Sequence, residues 1–444
     1  MPYHRIASIA ATLVLLAGCG SDHQRAAADR TCDGKIDGKQ QIVAWFHAGT
    51  VSAEGAELKR QTAAFNRSQN DVNVRVVFIR ADSYSRTVES AATAGRLPDV
   101  LDFDGPNMYS YAWSGKLKPL DSCLSKGQRA DLLPSIRKQG KYAGRTWAVG
   151  TFDSGTGLYV RPSILRRIGA RIPSSVDDAW TAAEFTKILR RLRAAGYARP
   201  LDMKANYTLP AYATPEWFTY GFAPIVWSAG GDLIDRSTYR TAQGILNSPA
   251  SVRALTTMQR WFRAGLVDPD RDDQAFIRGR TPISWIGHWM YADYHKAFPH
   301  DLAIVPLPRF GPRPSAGMGS WQWGITANGG DGDAAWRFIS FLLRPEQVSA
   351  MTRGNGAVPG TFSAIRRSPN FAKGGPEYPF VEQLTKGIAR PRPLTPAYPA
   401  ITAAFSPAIQ KIIRGHDVKD ALDVAVRQID RNLKANGYYR STGP

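Results

Sequence analysis

The body of the chain begins with short apolar runs that alternate with helical patterns. Three runs have the length and composition of β-strands, and they cover residues 41–46, 72–79 and 100–103. Strands that alternate with helices predict a parallel sheet covered by helices, and ligands bind beyond the carboxyl ends of such strands. The loops after the first and third strands, which hold His47, Asp104 and Asn107, are therefore candidate ligand-binding loops.

The rest of the chain carries longer helical segments. Residues 144–160 form two extended runs joined by glycines and small polar residues, a composition that favours a crossing between two domains. Helical patterns follow over 176–195 and 252–264. A strand returns near 281–289 and turns into a helix, and the extended run 302–308 is predicted to return to the first domain.

The amino terminus carries an export signal. A basic residue precedes the apolar run 6–17, which is too short to span a bilayer as a stable helix. The run leads into Leu-Ala-Gly-Cys, ending at Cys19, which resembles the bacterial lipobox. This resemblance implies a signal peptide over 1–18, acyl chains on Cys19 that attach the protein to the membrane, and a tether over 19–35. The alternative is a plain secreted protein with an incidental cysteine.

Two of the three cysteines remain after Cys19 is assigned to the lipid anchor. Cys32 lies just before the first strand and Cys123 lies about 90 residues further on. An even pair in an oxidising export compartment favours a disulfide, and closing a loop of this length stabilises a protein by ~4–5 kcal/mol. Two buried free thiols are the alternative.

Lysine and arginine outnumber aspartate and glutamate by 57 to 37, which leaves a formal charge of +20. Such a charge raises the question of a nucleic-acid partner. The basic residues are scattered and form no run of five or six, which is typical of solvated helix faces. We therefore expect no nucleic-acid partner, while a preference for anionic ligands stays open.

Motifs of the common catalytic and metal-binding classes are absent from the sequence. It contains no H-E-x-x-H, G-x-S-x-G, G-x-x-x-x-G-K-[ST] or C-x-x-C. We predict no catalytic residue, metal site or cofactor. One enzymatic alternative remains, in which Asp104 and Asp153 act as the acid/base couple of a secreted carbohydrate-active enzyme.

Aromatic residues recur beside glycine and polar side chains, as in Gly-Met-Gly-Ser-Trp-Gln-Trp-Gly over 317–324. An aromatic face suits the C–H-rich face of a pyranose ring, while polar neighbours bind its hydroxyls. Alternation along a strand would turn Gln322 away and return Trp323 to the face of Trp321. The pattern therefore predicts a sugar-binding wall in which bare backbone lets a hydroxylated ring approach.

Six stretches carry a family resemblance, and they cover residues 94–100, 114–120, 144–161, 228–231, 276–280 and 333–342. Their order and spacing resemble those of family 1 extracellular solute-binding proteins, the carbohydrate-receptor lipoproteins of ABC importers, which share an architecture with maltose-binding protein. The resemblance implies a two-lobed α/β clamp of the type II periplasmic-binding class. It places the first lobe at 36–152 with 301–331 and the second at 153–300 with 332–444.

The same resemblance implies partners and a location. The protein would be a monomer that binds a sugar, delivers it to the transmembrane subunits of an ABC permease, and lies lipid-anchored on the extracytoplasmic face of the cell membrane. Implied ligand-binding residues are His47, Asp104, Asn107, Asp153, Tyr220, Trp227, Trp285, Trp289, Gly319, Ser320, Trp321, Arg392 and Tyr398.

Two features depart from a maltodextrin receptor. The first loop has His47 and no carboxylate, and Arg390 or Arg392 is expected to point into the cleft. Both features favour an amino sugar or a phosphodiester over a neutral glucan, and the arginine- and alanine-rich composition is similar to that of mycobacterial importers of these ligands. Asp104 and Asp153 favour the amino sugar, because they could meet a cationic group. A glycerophosphodiester whose phosphate is held by Arg390 or Arg392 is the alternative.

Overall fold

The computed structural model describes residues 31–48, 52–205, 215–269, 272–319 and 321–440. Strands in these ranges are β1 (Gln40–Phe46), β2 (Val72–Phe78), β3 (Val100–Asp104), β4 (Lys141–Tyr142), β5 (Arg145–Thr146), β6 (Phe152–Asp153), β7 (Thr156–Val160), β8 (Leu201–Asp202), β9 (Ile283–Gly287), β10 (Ala303–Val305), β11 (Ala316–Met318), β12 (Trp321–Ile325), β13 (Val358–Pro359) and β14 (Ala389–Pro391).

Helices in these ranges are α1 (Ala53–Arg67), α2 (Ala81–Thr93), α3 (Met108–Trp113), α4 (Lys126–Asp131), α5 (Pro134–Gln139), α6 (Pro162–Arg167), α7 (Ala182–Ala194), α8 (Pro215–Tyr220), α9 (Ala223–Ser228), α10 (Pro249–Arg263), α11 (Tyr291–Ala297), α12 (Gly332–Leu342), α13 (Pro345–Asn355), α14 (Phe362–Ile365), α15 (Tyr378–Thr385), α16 (Tyr398–Ile413) and α17 (Val418–Ala435). Short 3-10 helices cover Gly105–Asn107, Val176–Asp178, His288–Met290, Pro369–Phe371 and Gly437–Tyr439.

The first lobe is built on a four-stranded sheet in the order β12-β3-β1-β2. Strand β1 runs parallel to both β2 and β3, as the alternation of strands and helices predicted. Strand β12 closes the edge antiparallel to β3, with Trp321 opposite Asp104. Because β1 and β3 are parallel, their carboxyl ends bring His47 and Asp104 to the same edge of the sheet.

The second lobe is built on a sheet in the order β10-β7-β9-β8. All five residues of β7 and all five of β9 are buried, as expected of central strands covered on both faces. The predicted return of 302–308 to the first domain is wrong, because Ala303–Val305 pairs with β7 of the second sheet. An isolated apolar run predicts a buried strand, but tertiary structure decides which strand it pairs with.

The lobe boundaries also differ from prediction near residue 332. Helices α12 and α13, expected in the second lobe, pack on the first sheet and its helix α1. The rings of Phe338 and Phe341 lie 5.3 Å and 5.4 Å from that of Phe65 in α1. Their apolar face is buried there, so residues 332–355 extend the first lobe.

A disulfide ties the start of the described chain to the first lobe. Cys32 and Cys123 are bonded, as predicted, with their Cα atoms 5.1 Å apart. The backbone N–H groups of Asp33 and Gly34 also donate to the carboxylate of Asp333 at the start of α12. The last residues of the predicted tether, 32–34, are therefore fixed to the lobe by covalent and polar contacts.

The described ranges contain neither a membrane-spanning helix nor a cluster of metal-binding side chains. Within the described ranges, every helix is either too short or too polar to cross a bilayer. The same ranges bring together no three His, Cys, Asp or Glu side chains that could hold a metal ion. The predicted signal peptide, Cys19 and the tether up to residue 30 lie outside the described residues.

Candidate functional site

A charged contact joins the two lobes where β3 ends. Arg392 follows β14 in the second lobe, and its Nη1 and Nη2 donate to Oδ2 and Oδ1 of Asp104 in the first lobe, each at 2.7 Å. The side chain of Arg392 is only 4% exposed. Paired, planar hydrogen bonds of this kind are the strongest that a guanidinium makes with a carboxylate. The predicted cleft residues Asp104 and Arg392 therefore meet directly across the lobes.

Glu216 of α8 holds the same guanidinium from the second lobe. Its Oε1 accepts hydrogen bonds from Arg392 Nη1 and from the hydroxyl of Tyr398. Burial raises the pKa of Glu216 to about 7, with Arg392 lowering it and Asp104 raising it. One guanidinium thus lies between two carboxylates, which leaves a surplus of negative charge above this pKa.

Aromatic rings flank the charged contact. The Cζ atom of Arg392 lies 4.8 Å from the ring of Tyr220, a distance typical of a cation–π contact. The ring of Tyr220 lies 6.1 Å from that of Trp289, and Trp217 meets Trp289 edge-on at 5.9 Å. Trp289 is partly exposed, whereas Trp217 and Tyr220 are buried. We call Asp104, Glu216, Tyr220, Trp289, Arg392 and Tyr398 the interlobe cluster.

Three glycines leave room for side chains of this cluster. A Cβ atom at Gly287 would lie 2.1 Å from the Trp289 ring, and one at Gly317 would lie 2.9 Å from Tyr220 Cε2. A Cβ at Gly319, whose φ is +131°, would lie 2.9 Å from Arg392 Nη2. In this structure the chain's own side chains fill the space beside these three glycines, and the approach of a ligand ring to this backbone stays a prediction.

Asp153 lies at the crossing between the lobes and is fully buried. Its Oδ1 accepts from the backbone N–H of Ser154 at 2.8 Å and of Gly319 at 3.2 Å, and its Oδ2 accepts from Gln139 Nε2 at 3.3 Å. Burial raises its pKa, and these hydrogen bonds lower it in part. The carboxylate thus connects α5, β6 and the strand-to-strand segment near Gly319.

His47 supports an aromatic residue of the first lobe. Its Nδ1 donates to Asp102 Oδ2 at 2.5 Å, and its Nε2 lies 3.4 Å from Glu54 Oε2. The imidazole stacks on Trp321 with ring centres 3.5 Å apart and planes 3° from parallel. Burial lowers the pKa of His47, but the two carboxylates outweigh it and raise the pKa to about 9. The predicted ligand residue His47 is thus a cation beneath the Trp321 ring.

This ion pair predicts a pH-dependent stability. Because the pKa of His47 rises from 6.5 to about 9 in the folded protein, its contribution is complete below pH ~6.5 and is lost as the pH rises through 9. The loss amounts to roughly 3 kcal/mol of unfolding free energy. Denaturant unfolding at pH 6 to 9.5 should show this decrease in the wild type and a smaller one in His47→Gln. Parallel pH profiles for the two proteins would contradict the assignment.

The two indoles of β12 stack on different rings of the first lobe. Trp321 stacks on His47, while Trp323 stacks on Phe46 with ring centres 5.8 Å apart. Trp323 is buried, and Trp321 keeps a partly exposed surface. Gln322 points to the other face and pairs in register with Phe103. Of the two indoles, Trp321 alone is placed to contact a ligand in this conformation.

Two predicted ligand residues lie in the interior of the second lobe. Trp285 is fully buried, and its Nε1 donates to the carbonyl of Gly221 at 3.0 Å. Trp227 is 4% exposed, and its Nε1 donates to Asp232 Oδ1 at 2.8 Å. Protein atoms cover both indoles in this structure, so neither exposes a stacking face to a ligand here.

The remaining predicted positions divide between the cluster and its surroundings. Arg390 donates to Asp232 Oδ2 at 3.0 Å within the second lobe, so Arg392 is the arginine that reaches the cluster. Asn107 is partly exposed at the start of α3, three residues beyond Asp104. Ser320 lies outside the described residues.

Sequence reasoning missed the carboxylates that complete the site. Glu216 directly precedes the aromatic run that begins at Trp217, and this acid beside aromatics was a usable signal. Asp102 lies inside β3 and Glu54 in the first turn of α1, where acids usually face solvent or cap a helix. Their pairing with His47 depends on tertiary contact.

The arrangement offers both kinds of contact that a polyhydroxylated ring requires. Carboxylate oxygens and a guanidinium bind hydroxyl groups, and the partly exposed faces of Trp289 and Trp321 provide apolar stacking surfaces. A separate cavity of about 450 Å³ lies on the first lobe beside α2, between Trp45, Arg86 and Arg96. It shares no lining residue with the interlobe cluster.

Comparison with known proteins gives the family. Residues 61–376 match the model of the family described as bacterial extracellular solute-binding protein. The chain is 22% identical over 376 residues to the maltotriose-binding protein of Pyrococcus abyssi, which covers 82% of this chain and 76% of the relative. It is also 22% identical over 370 residues to an uncharacterized lipoprotein of Streptomyces antibioticus, covering 81% of this chain and 76% of that protein.

Solved structures give the fold. The crystal structure of the GacH receptor of Streptomyces glaucescens, studied without ligand and with acarbose, superposes with a TM-score of 0.75 at 20% identity. The match covers 91% of this chain and 100% of the receptor. The predicted two-lobed α/β clamp is thereby confirmed.

Proposed function

Because the chain belongs to the bacterial extracellular solute-binding proteins, we propose that it captures a carbohydrate between its lobes and delivers it to the permease of an ABC importer. The observation that carries this proposal is the interlobe cluster. It joins carboxylates, a guanidinium and a partly exposed indole at the meeting point of the lobes. Such a receptor works by differential affinity, since the ligand must bind the closed state better than the open one.

Within this function, an amino sugar or a small oligosaccharide fits the charges best. Asp104 and Glu216 face a single guanidinium, so the cluster is negative when both acids are ionised. An ammonium group would offset this charge, while hydroxyl groups would share the remaining lone pairs of the carboxylates. The maltotriose named for the Pyrococcus abyssi relative supports the oligosaccharide.

The two alternatives from the sequence lose support in this geometry. A glycerophosphodiester would have to draw Arg392 away from two carboxylates that already accept its hydrogen bonds. An acid/base couple would need Asp104 and Asp153, yet Asp153 is buried and accepts three hydrogen bonds from protein groups. Neither arrangement leaves the required group free for that chemistry.

The proposed place of action is the outer face of the cell membrane. The lipobox-like sequence at Cys19 and a relative named as a lipoprotein support a lipid-anchored receptor beside its permease. A body without a membrane-crossing helix in its described ranges is consistent with attachment through acyl chains.

Replacing Asp104 with asparagine tests the site. We expect sugar affinity to fall at least about 10-fold, because the variant loses a charge that orders Arg392 and accepts ligand hydrogen bonds. Asp177→Asn, which breaks an exposed ion pair with Lys386, is the matched control and should leave affinity unchanged. Calorimetry with amino sugars, disaccharides and glycerophosphodiesters provides the measurement. Equal affinities in wild type and Asp104→Asn would contradict the site.

A further inference from the structure

We propose that Arg392 is an interlobe clasp, in which the chain's own guanidinium binds Asp104 of the opposite lobe and Glu216 holds it in that orientation. This inference concerns how the lobes close, so it stands independently of which ligand they enclose. Asp104 belongs to the first sheet, whereas Arg392 and Glu216 belong to the second lobe. The contact therefore forms only when the lobes approach each other.

The surroundings of Arg392 are built to hold a guanidinium in one place. Tyr220 and Tyr398 lie 4.8 Å and 6.0 Å from its Cζ atom. The hydroxyl of Tyr398 also donates to Glu216, which fixes the carboxylate that orients Nη1. At Gly319 the absence of a side chain leaves space for Nη2. These contacts reduce the freedom of the side chain before the lobes meet, so less entropy is lost when it reaches Asp104.

One donor of the clasp is left over. The Nε–H of Arg392 is buried and has no hydrogen-bond partner among the described residues. A buried donor without a partner destabilises the folded state. The clasp therefore satisfies the Nη1 and Nη2 groups of Arg392 but leaves its Nε–H without a described partner.

Removing either partner should open the protein. Arg392→Gln leaves Asp104 and Glu216 without their cation, and Asp104→Asn leaves Arg392 without its bidentate acceptor. Breaking a buried charge pair is costly because the remaining charge is left unpaired, and opening the lobes returns that charge to water. The two substitutions break one contact, so the double variant should open no further than either single variant.

Small-angle X-ray scattering on the purified protein tests the clasp without any ligand. We expect a larger radius of gyration for Arg392→Gln and for Asp104→Asn than for the wild type. Arg392→Lys keeps the charge but cannot bind Asp104 in two places. Its radius of gyration should therefore lie between that of the wild type and those of the two other variants. Arg390→Gln is the matched control, because Arg390 pairs with Asp232 inside the second lobe. Its radius of gyration should equal that of the wild type.

Circular dichroism identifies any variant that fails to fold, and Arg392→Lys then replaces Arg392→Gln in the comparison. A wild-type radius of gyration in both Arg392→Lys and Asp104→Asn would overturn the clasp. So would an equal expansion in Arg390→Gln, since that would reflect a general effect of lost charge. Calorimetry with the sugar panel separates the two proposals. If the wild type binds no sugar but Arg392→Gln still has the larger radius of gyration, the proposed ligand is wrong and the clasp stands.

Discussion

Replacing Trp289 with alanine is expected to weaken carbohydrate binding by about 30- to 1,000-fold, which corresponds to the 2–4 kcal/mol of a well-packed aromatic contact. Trp289 lies within the 3-10 turn His288–Met290, and its ring folds back over Gly287. Trp217 and Tyr220 support the ring from two sides, so it forms a fixed stacking surface with a partly exposed face. The loss should fall on the affinity and leave the fold intact.

Calorimetric titration of the wild type, Trp289→Ala and Phe362→Ala gives the comparison. Phe362 is 41% exposed at the start of α14, so its replacement removes an aromatic ring that the cluster does not contain. Thermal unfolding of each protein without ligand shows whether the fold is kept. Unchanged affinity in a folded Trp289→Ala variant would remove Trp289 from the site.

Loss of the disulfide is expected to lower the free energy of unfolding by about 4–5 kcal/mol. Cys32 and Cys123 are 91 residues apart in sequence, so the bond prevents a long loop from opening in the unfolded chain. In the folded state, hydrogen bonds from the backbone N–H groups of Asp33 and Gly34 to Asp333 also hold this segment on the lobe. We therefore expect the variant without the disulfide to keep its folded structure.

Urea unfolding of the Cys32→Ser/Cys123→Ser double variant measures this effect. The wild type in the presence of a reductant should approach the stability of the double variant, and the reductant should not alter the double variant itself. Equal stability of wild type and double variant, with the bond verified by thiol titration, would show that the bond does not stabilise the lobe.

The first sheet could be predicted because its information is local. The runs that became β1, β2 and β3 are contiguous and apolar, and helical patterns separate them. Local patterns do not show which segments pack together when they are far apart in the sequence. The short strand Ala303–Val305 could complete either sheet, and the amphipathic helices of 332–355 could cover either lobe. Tertiary packing decided both.

The candidate site shows the same division. Trp285 and Trp289 stand four residues apart in one aromatic motif, yet Trp285 lies within the central strand β9 and Trp289 lies beyond its end. A central strand is covered on both faces, so its indole is buried, whereas a residue after the strand can reach the cleft. The aromatic pattern pointed to the right region but could not separate the two positions.

The ion pairs of Arg392 could not be predicted from the sequence. Arg392 was predicted at the cleft, but its partners Asp104 and Glu216 are 288 and 176 residues away. Glycine spacing indicated close approach near Gly319, although the group that approaches is the guanidinium of Arg392. Such contacts depend on how the two lobes meet, which no local pattern records.

The most direct test of a sugar receptor is a calorimetric titration of the wild-type protein with amino sugars and small oligosaccharides, repeated with Trp289→Ala. We expect saturable binding of at least one of these carbohydrates at one site per chain, and loss of that binding in the folded variant. Folded wild-type protein that binds none of them, or a carbohydrate bound equally well by both proteins, would show that the proposed sugar site is wrong.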